Sequence, residues 1–468
     1  MPDNEIPLIL RVFVAHILKL SEQSRYLDLQ SEITISILRS ILLHSKPQSI
    51  SESQATTLVD PGIKGRIWVS KVASQVPPEQ GIRDTLLATI ETVHEAEAEG
   101  AGFKIPDIVP IEAEWTGYRA AATPDSTLPR VSEEDKYREM MKECKSPVTV
   151  LYFHGGAYYL CDPCTHRSVT KRLAKLTGGR VYSVRYRLAP QAPFPSAVLD
   201  ALVSYFTLLY PGPGSIHDAV PPEQIVFAGD SAGGNLALAL LQAVLEIRRQ
   251  GRKIVWLGEE RDVPVPAGVA VNSPWVDLVQ SMPSLSANLK WDYLPPPALL
   301  STTWKPPPDD VWPANPPRRH IYVDDAYLLH PLVSLHVNST WRGAPPVYVC
   351  CGWECLADED KYFVAKLRRE GVAVVFEEYE AMPHVFAAIV PKIPESRRCM
   401  EGWARFISDV VKDGAAVKST YTTIKARTLK EDPIDPETLS PFSQKDVLDM
   451  ARRQVGRKGS LPEVVAKL

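Results

Sequence analysis

A serine placed between glycines has the clearest chemical signature in the sequence. Ser231 lies in Gly229-Asp-Ser-Ala-Gly233, between an apolar run at 225–228 and another at 236–241. A strand that ends in Gly-x-Ser-x-Gly and turns into a helix exposes the serine hydroxyl above a sheet. Ser231 is therefore predicted to be a nucleophile. The next amide, that of Ala232, is predicted to stabilise a developing oxyanion at the positive end of the helix.

A second glycine-rich turn follows another apolar run. Residues 148–153 lead into a histidine and then into Gly155, Gly156 and Ala157. Small residues at the end of a strand let consecutive backbone N–H groups turn toward one point and bind negative charge. We predict an oxyanion hole in which Gly155 shapes the loop, while the amides of Gly156 and Ala157 act together with that of Ala232.

A histidine and an acid are predicted to complete the catalytic set. A lone histidine is more often structural, but His384 follows a strand and takes the third place in the chain order serine, acid, histidine. Glu354 comes directly after the strand predicted at 346–351, at the edge where such sheets assemble their sites. Asp358 falls near the start of the next helix, where an aspartate can cap free amides. Glu354 is therefore the predicted acid.

The composition indicates a small-molecule partner. The 468 residues carry a formal net charge of −4, so no basic excess suggests nucleic acid. Seven cysteines, an odd number, fit a reducing compartment better than a disulfide framework. Cys161 and Cys164 form one Cys-x-x-Cys pair, which is weak support for zinc without further ligands at suitable spacing. We predict no metal site, and the sequence leaves the oligomeric state open.

Strands alternating with helices are predicted to position these residues. On this spacing the elements form a doubly wound α/β sheet, with helices between successive strands. The strands are indicated at 111–117, 148–153, 180–186, 225–231, 267–272, 346–351 and 372–379.

Three regions and one insertion are expected. Residues 1–110 are predicted to be a helical cap, 111–410 the α/β domain, and 411–468 a tail with one helix at 444–455. The segment 278–325 is rich in proline, which excludes a central strand or a long helix. We expect it to cap the ligand-binding edge. Its tryptophans either line an acyl or alcohol pocket or pack down for stability: Trp291, Trp304 and Trp312.

The N-terminal region is predicted to contain two apolar-periodic helices. We expect them to pack on the main domain or over the mouth of the active site rather than to anchor the chain in a membrane, because their polar faces lack the enrichment in Lys and Arg that is typical of interfacial helices. A peripheral membrane contact stays open. Charged residues interrupt the first apolar run, so neither a signal peptide nor a membrane span is predicted, and a cytoplasmic location is expected. The residues at helical spacing are Leu8, Ile9, Val12, Phe13, Ile17 and Leu20, then Ile33, Ile35, Ile37, Leu38, Leu42 and Leu43.

Several of these motifs together resemble the hormone-sensitive-lipase-like (arylacetamide-deacetylase-like) branch of the α/β hydrolases, over about residues 148–410. The resemblance implies an α/β-hydrolase fold: a mostly parallel eight-stranded sheet, helices on both faces, and a cap from N-terminal helices and an insertion. It also implies ester hydrolysis without a cofactor. Glu354 departs from the aspartate usual at that position. The motifs are His154-Gly-Gly, Tyr186-Arg-Leu-Ala-Pro190, Gly229-Asp-Ser-Ala-Gly-Gly-Asn235, Ser273-Pro-Trp-Val-Asp277 and Met382-Pro-His384.

The predicted function is hydrolysis of carboxylic esters of small molecules through an acyl-enzyme on Ser231. Two alternatives remain open from the sequence. The first is amide hydrolysis or acyl transfer by the same nucleophile. The second is a non-catalytic small-molecule receptor, as the plant gibberellin receptors are in this family; those receptors have lost the histidine, so the presence of His384 argues against it.

Overall fold

A ten-stranded sheet forms the centre of the chain. The computed structural model describes residues 5–44, 46–93, 103–295 and 306–459. The strands are β1 (Ile67–Ala73), β2 (Glu112–Tyr118), β3 (Thr149–Phe153), β4 (Arg180–Val184), β5 (Ile225–Asp230), β6 (Ile254–Trp256), β7 (Glu259–Arg261), β8 (Gly268–Asn272), β9 (Val347–Gly352), β10 (Val374–Tyr379), β11 (Thr420–Ile424) and β12 (Glu431–Pro433).

The sheet is parallel in its middle and antiparallel at both edges. Its order is β1-β2-β4-β3-β5-β8-β9-β10-β11-β12, and every pairing from β4 to β11 is parallel. The pairings β1-β2, β2-β4 and β11-β12 are antiparallel, and β6 and β7 form a separate hairpin. The predicted doubly wound α/β architecture is confirmed, and the carboxyl ends of β3, β5 and β9 meet at one edge.

Helices cover both faces of the sheet because alternate side chains of each strand point to opposite sides. On β3, Leu151 and Phe153 join the core with α7 and α8, whereas Val150 and Tyr152 join the core with α6 and α12. The helices are α1 (Glu5–Ile17), α2 (Leu29–His44), α3 (Ile50–Thr57), α4 (Gly81–Val93), α5 (Glu133–Glu143), α6 (Arg167–Thr177), α7 (Ser196–Leu209), α8 (Ala232–Arg249), α9 (Ser284–Ala287), α10 (Ala357–Arg369), α11 (Phe386–Ile389), α12 (Pro394–Asp413) and α13 (Gln444–Gly459).

The sheet has ten strands where eight were expected. One strand outside the predicted set, β1, lies inside the region 1–110 that was predicted to be helical; a short apolar run does not distinguish a strand from a helix by its period. The tail contributes β11 and β12 besides the helix α13 that was predicted there. Only Ile424 of β11 is buried, so this edge strand lacks the alternating apolar pattern that identifies a strand.

The two N-terminal helices are present, but only part of their apolar surface is buried. Val12 and Ile35 are buried in the chain. Phe13, Ile17 and Leu20, which were expected to pack inward, are 44%, 58% and 74% exposed. The expectation is wrong for these residues because α1 is apolar around most of its circumference, so burial of one face leaves the other in solvent. Within the described residues, no helix combines the length and the apolar character needed to cross a bilayer.

The N-terminal helices lie against the proline-rich insertion. Tyr26 makes an edge contact with Trp291, at 5.3 Å between ring centroids, and Trp291 packs on Trp353 at 5.4 Å. Trp291 is therefore packed between the N-terminal region and Trp353 and is almost fully buried. Trp312 is partly buried against the core, with the guanidinium of Arg318 5.9 Å from its ring. Trp304 lies outside the described residues.

Candidate active site

Ser231 lies at the sharp turn between β5 and α8. Its backbone has φ 52° and ψ −122°, a region in which an L-residue is strained by about 1–3 kcal/mol. The turn is tight enough that only glycine fits on the helix side. A Cβ on Gly233 would lie 2.0 Å from the carbonyl oxygen of Phe153. The serine side chain thus projects at the carboxyl edge of the sheet, with the N-terminus of α8 directly behind it.

Ser231, His384 and Glu354 form one hydrogen-bonded chain. Ser231 Oγ lies 2.9 Å from His384 Nε2, and His384 Nδ1 lies 2.7 Å from Glu354 Oε1. His384 and Glu354 are buried, while Ser231 is partly accessible. Burial lowers the pKa of His384, but the charge of Glu354 and its hydrogen bond outweigh burial, so the pKa is raised overall. The arrangement suits a base that becomes positively charged during a reaction.

Glu354 is held in place by donors from two strands. Its Oε2 accepts from the amide of Gly352 at 2.9 Å and from the hydroxyl of Ser273 at 2.6 Å. Asp358 lies in the first turn of α10 and points elsewhere. Its Oδ2 accepts from the amide of Ser284, at the start of α9, at 2.9 Å. Asp358 therefore caps a helix, although the helix is α9 and not its own.

The loop after β3 brings small residues beside Ser231. Gly156 has φ +111°, and a Cβ there would lie 2.3 Å from the carbonyl oxygen of Leu160, so the position requires glycine. The backbone N–H groups of Gly156, Ala157 and Ala232 donate to no acceptor among the described residues. The amide of Gly155 differs, because it donates to the carboxylate of Asp230. Three amides are thus left for a bound anion.

Asp230 ties this loop to the nucleophile turn. Its Oδ1 accepts from the Gly155 amide at 3.3 Å and from the hydroxyl of Tyr152. His166 Nε2 lies 3.4 Å from Oδ2. Burial alone would raise the pKa of Asp230, but the positive charge and hydrogen bond of His166 lower it overall. Gly155 therefore shapes the loop through this bond, and its amide is not a free donor to substrate.

His154 is a structural member of the loop. Its ring stacks on Tyr186 with 4.4 Å between centroids, and its Nδ1 lies 2.7 Å from the carbonyl oxygen of Gly155. Burial lowers the pKa of His154 to about 4. The ring is therefore neutral at physiological pH, and it supports the turn without adding charge.

The Cys-x-x-Cys pair has a local structural role. Asp162, between the cysteines, accepts from the amide of Cys164 at 2.9 Å and exchanges capping hydrogen bonds with Thr165. Both cysteines carry free thiols, and burial raises the pKa of Cys161 to about 11. The short turn at Pro163–His166, which contains Cys164, leads directly into α6.

Comparison with known proteins agrees with this geometry. Residues 150–388 match the model of a protein family whose description is 'alpha/beta hydrolase fold'. An acetyl-hydrolase of Streptomyces hygroscopicus is 32% identical over 267 residues, which cover 57% of this chain and 77% of that protein. The chain belongs to the α/β hydrolase family. An esterase of Acinetobacter venetianus is 30% identical to this hydrolase over 276 residues, 59% of this chain and 79% of its own.

Solved structures of α/β hydrolases share the fold. An esterase from the bacterial hormone-sensitive lipase family superposes with a TM-score of 0.53 at 21% identity, over 82% of this chain and 99% of that chain. A hormone-sensitive lipase from a metagenome library gives 0.53 at 23% identity, with the same coverage. The likeness in structure concerns the fold alone. The predicted membership of the α/β hydrolases is confirmed, and the structures that share the fold include esterases described as members of the hormone-sensitive lipase family.

Three further residues support the site of this hydrolase and were not predicted individually. Ser273 bridges the acid and histidine loops, since its Oγ donates to Glu354 and accepts from the amide of Val385 at 3.1 Å. Asp292 Oδ1 accepts from the amide of His384 at 3.3 Å. Asn235 accepts from the hydroxyl of Tyr158 at 2.6 Å and so ties α8 to the oxyanion loop. Ser273 and Asn235 lie in motifs at strand ends, the signal that could have identified them.

Ser273→Ala is expected to destabilise the hydrolase by about 1–3 kcal/mol. The change leaves the buried amide of Val385 without its acceptor and removes one donor from Glu354. Urea unfolding followed by tryptophan fluorescence measures the effect. The exposed Ser286→Ala is the matched control, expected to change the unfolding free energy by less than about 0.5 kcal/mol. Equal stability of the two variants would contradict this role for Ser273.

Proposed function

We propose that this α/β hydrolase cleaves carboxylic esters of small molecules, with Ser231 as nucleophile, His384 as general base and acid, and Glu354 as the acid that orients His384. In the first half-reaction, His384 Nε2 takes the proton of Ser231 Oγ while that oxygen attacks the acyl carbon. The protonated His384 then gives this proton to the leaving alkoxide. The products of this half are the alcohol and an acyl-enzyme.

Water completes the cycle by the same route. His384 removes a proton from a water molecule, which attacks the acyl carbon, and the proton returns to Ser231 Oγ as the carboxylic acid leaves. In both halves the carbonyl oxygen becomes negatively charged. We propose that the amides of Gly156, Ala157 and Ala232 stabilise this charge, helped by the dipole of α8. No cofactor enters either half-reaction.

The observation that carries this proposal is the continuous chain from Ser231 Oγ through His384 to Glu354, at 2.9 Å and 2.7 Å. The same contact argues against a non-catalytic receptor. Purified protein is expected to hydrolyse p-nitrophenyl acetate and to be labelled once by a fluorophosphonate probe, which reacts with activated serines. Absence of both hydrolysis and labelling would contradict the proposal. A panel of esters graded by acyl length and alcohol bulk then defines the substrate class.

We further propose that α1–α3 and the insertion 278–325 form a cap on the hydrolase domain. Gln54 of α3 donates to the carbonyl oxygens of Tyr159 at 3.0 Å and Ala189 at 2.9 Å, close to the oxyanion loop. Arg39 Nε of α2 donates to the carbonyl oxygen of Asp292 at 2.9 Å. Because Asp292 also contacts the backbone of His384, the N-terminal region supports the catalytic histidine indirectly.

Deletion of residues 1–45 is expected to lower thermal stability and to change ester selectivity. The deletion removes Arg39 and exposes Trp291, which is 4% exposed in the whole chain. Differential scanning fluorimetry and kcat/KM over the ester panel measure both effects. Deletion of residues 1–20 alone removes α1 but leaves α2 and its contact with Asp292, so it is expected to have the smaller effect in both measurements. If the longer deletion matched the wild type in both measurements, the proposed cap would be wrong.

A further inference from the structure

An unusually apolar surface remains open on α1. The side chains of this surface, which we call the α1 face, are between 44% and 74% exposed. Five of them lie within α1 at the spacing of one helix side, and two continue the surface beyond the helix end. Exposed apolar patches of this extent mark interaction sites. The α1 face consists of Ile6, Leu10, Phe13, Val14, Ile17, Leu18 and Leu20.

The α1 face is held outward by contacts on the opposite side of the helix. Val12 is buried toward α2. His16 Nδ1 lies 2.5 Å from Glu32 Oε2, which joins α1 to α2. A rotation of α1 that hid Leu10 and Ile17 would break this contact and expose Val12. Among the residues that the structure describes, none covers these apolar side chains, so they remain exposed.

The charged residues around the α1 face favour an anionic partner. Arg11, Lys19 and Arg25 are exposed and form no ion pair with any residue that the structure describes. Of the nearby acids, Glu22 pairs with Lys290 at 2.8 Å, Glu32 contacts His16, and the exposed Asp28 accepts from the amide of Ser31 at 2.7 Å. Among the described residues, three basic side chains without an ion pair therefore lie around the apolar stripe against one such acid, Asp28, and this balance favours a negatively charged partner.

We propose that the α1 face docks on the surface of an anionic lipid bilayer, with its apolar side chains in the headgroup–acyl boundary and its basic residues at the headgroups. This goes beyond the proposed function. The stripe holds aliphatic residues and one phenylalanine, which suits a fluid apolar phase. A docking site for protein is typically rich in aromatic residues, Met and Arg, which fix one orientation. The α1 face has a single aromatic residue, Phe13, and no Tyr, Trp or Met, so a second copy of the chain fits it less well.

Docking would place the active site near the lipid. The turn after α1 contacts the insertion through Gln23 Nε2, which donates to the carbonyl oxygen of Lys290 at 2.8 Å. Two residues later, Asp292 contacts the backbone of His384. The α1 face and the catalytic loops are thus connected by a short run of chain. Esters dissolved in the bilayer would meet the enzyme at this surface.

Vesicle flotation with the full-length protein tests the proposal. The probes are vesicles of phosphatidylcholine with phosphatidylserine and vesicles of phosphatidylcholine alone. The wild type is expected to float with the anionic vesicles, and Leu10→Ser with Ile17→Ser to lose at least about tenfold in affinity. The matched control combines Ile105→Ser and Leu176→Ser, which alter side chains 59% and 44% exposed elsewhere, and should bind as the wild type does.

Variants that remove single positive charges separate the electrostatic contribution to lipid binding from the apolar contribution. Arg11→Gln and Lys19→Gln are each expected to weaken binding to the anionic vesicles about fivefold, with no change on phosphatidylcholine alone. Hydrolysis of soluble p-nitrophenyl acetate should be the same in every variant, since none of these residues touches the site. Activity and docking can therefore fail independently.

Two results would overturn the proposal. One is failure of the wild type to float with either vesicle type. The other is a mass in sedimentation velocity that doubles with concentration, is lost in the Leu10→Ser, Ile17→Ser variant, and occurs without vesicle binding; this would assign the α1 face to a second copy. If the double variant did not fold, Phe13→Trp gives a direct readout. Because the chain already has ten tryptophans, brominated lipids should quench this variant more than they quench the wild type, and equal quenching of the two would refute insertion.

Discussion

Replacing Ser231 with alanine is expected to lower kcat for p-nitrophenyl acetate about a million-fold. Removal of the nucleophile from a hydrogen-bonded catalytic set typically has an effect of this size, and the residual rate comes from the oxyanion donors and from binding. Steady-state kinetics with high enzyme concentration measure the loss. Labelling by a fluorophosphonate probe should disappear at the same time.

Alanine at position 231 removes the hydroxyl and should leave the backbone conformation unchanged. Ser231 has φ 52°, and alanine carries the same backbone strain, so the fold and its stability should change little. Ser286→Ala, at an exposed position outside the site, is the control and should leave kcat unaffected. An alanine variant at 231 that retained wild-type hydrolysis would exclude the proposed nucleophile, and the activity would have to arise at another group.

Replacing Glu354 with glutamine is expected to lower kcat by about ten-thousand-fold. The amide is nearly isosteric, but it carries no charge to stabilise the imidazolium of His384 and no longer fixes its tautomer. In the wild type, Glu354 raises the pKa of His384. Because the base must be neutral to accept the serine proton, the rate falls as pH drops through that raised pKa. Without the charge the pKa falls, so the acidic limb of kcat/KM should move to lower pH.

Asp358→Asn is the matched control for this prediction. Asparagine can still accept the amide of Ser284, so the expected loss is about 1 kcal/mol or less of stability, with kcat nearly normal. A full pH–rate profile for both variants tests the two expectations together. A nearly normal Glu354→Gln enzyme beside an inactive Asp358→Asn enzyme would reverse the assignment of the acid.

Much of the site was predictable because its residues lie at the ends of buried strands. Ser231 follows β5 and Glu354 follows β9, and neighbouring parallel strands bring their carboxyl ends to one edge whatever the intervening sequence. His384 follows β10 for the same reason. Position along the chain thus determines proximity for these three residues, and their chemical types indicate the reaction.

Interactions between distant segments were not predictable from local pattern. Asp358 was expected to cap its own helix, but it binds the amide of Ser284, which lies 74 positions away in the chain. Gly155 was predicted to shape the oxyanion loop, but the contact through which it does so, the donation of its amide to Asp230 across the β3–β5 pairing, was not predictable. The hydrogen-bond partner of such a group depends on which distant side chains come into contact in the folded chain. The exposed side of α1 was unpredictable for the same reason. The spacing of its apolar residues indicates a helix but does not indicate which face of that helix is covered by the rest of the chain.

The short strand β12 affects the tendency of the protein to aggregate through the edge of its sheet. The open edge of a parallel sheet offers unpaired N–H and C=O groups that recruit further strands and so lead to aggregation. Here β11 and β12 cover the edge of β10, and the sheet ends on only three residues, Glu431–Pro433. Pro433 has no N–H to offer, and the residues before it are charged, so this edge is a poor template. The tail that contains these strands thus makes this edge of the catalytic sheet a poor site for edge-to-edge self-association.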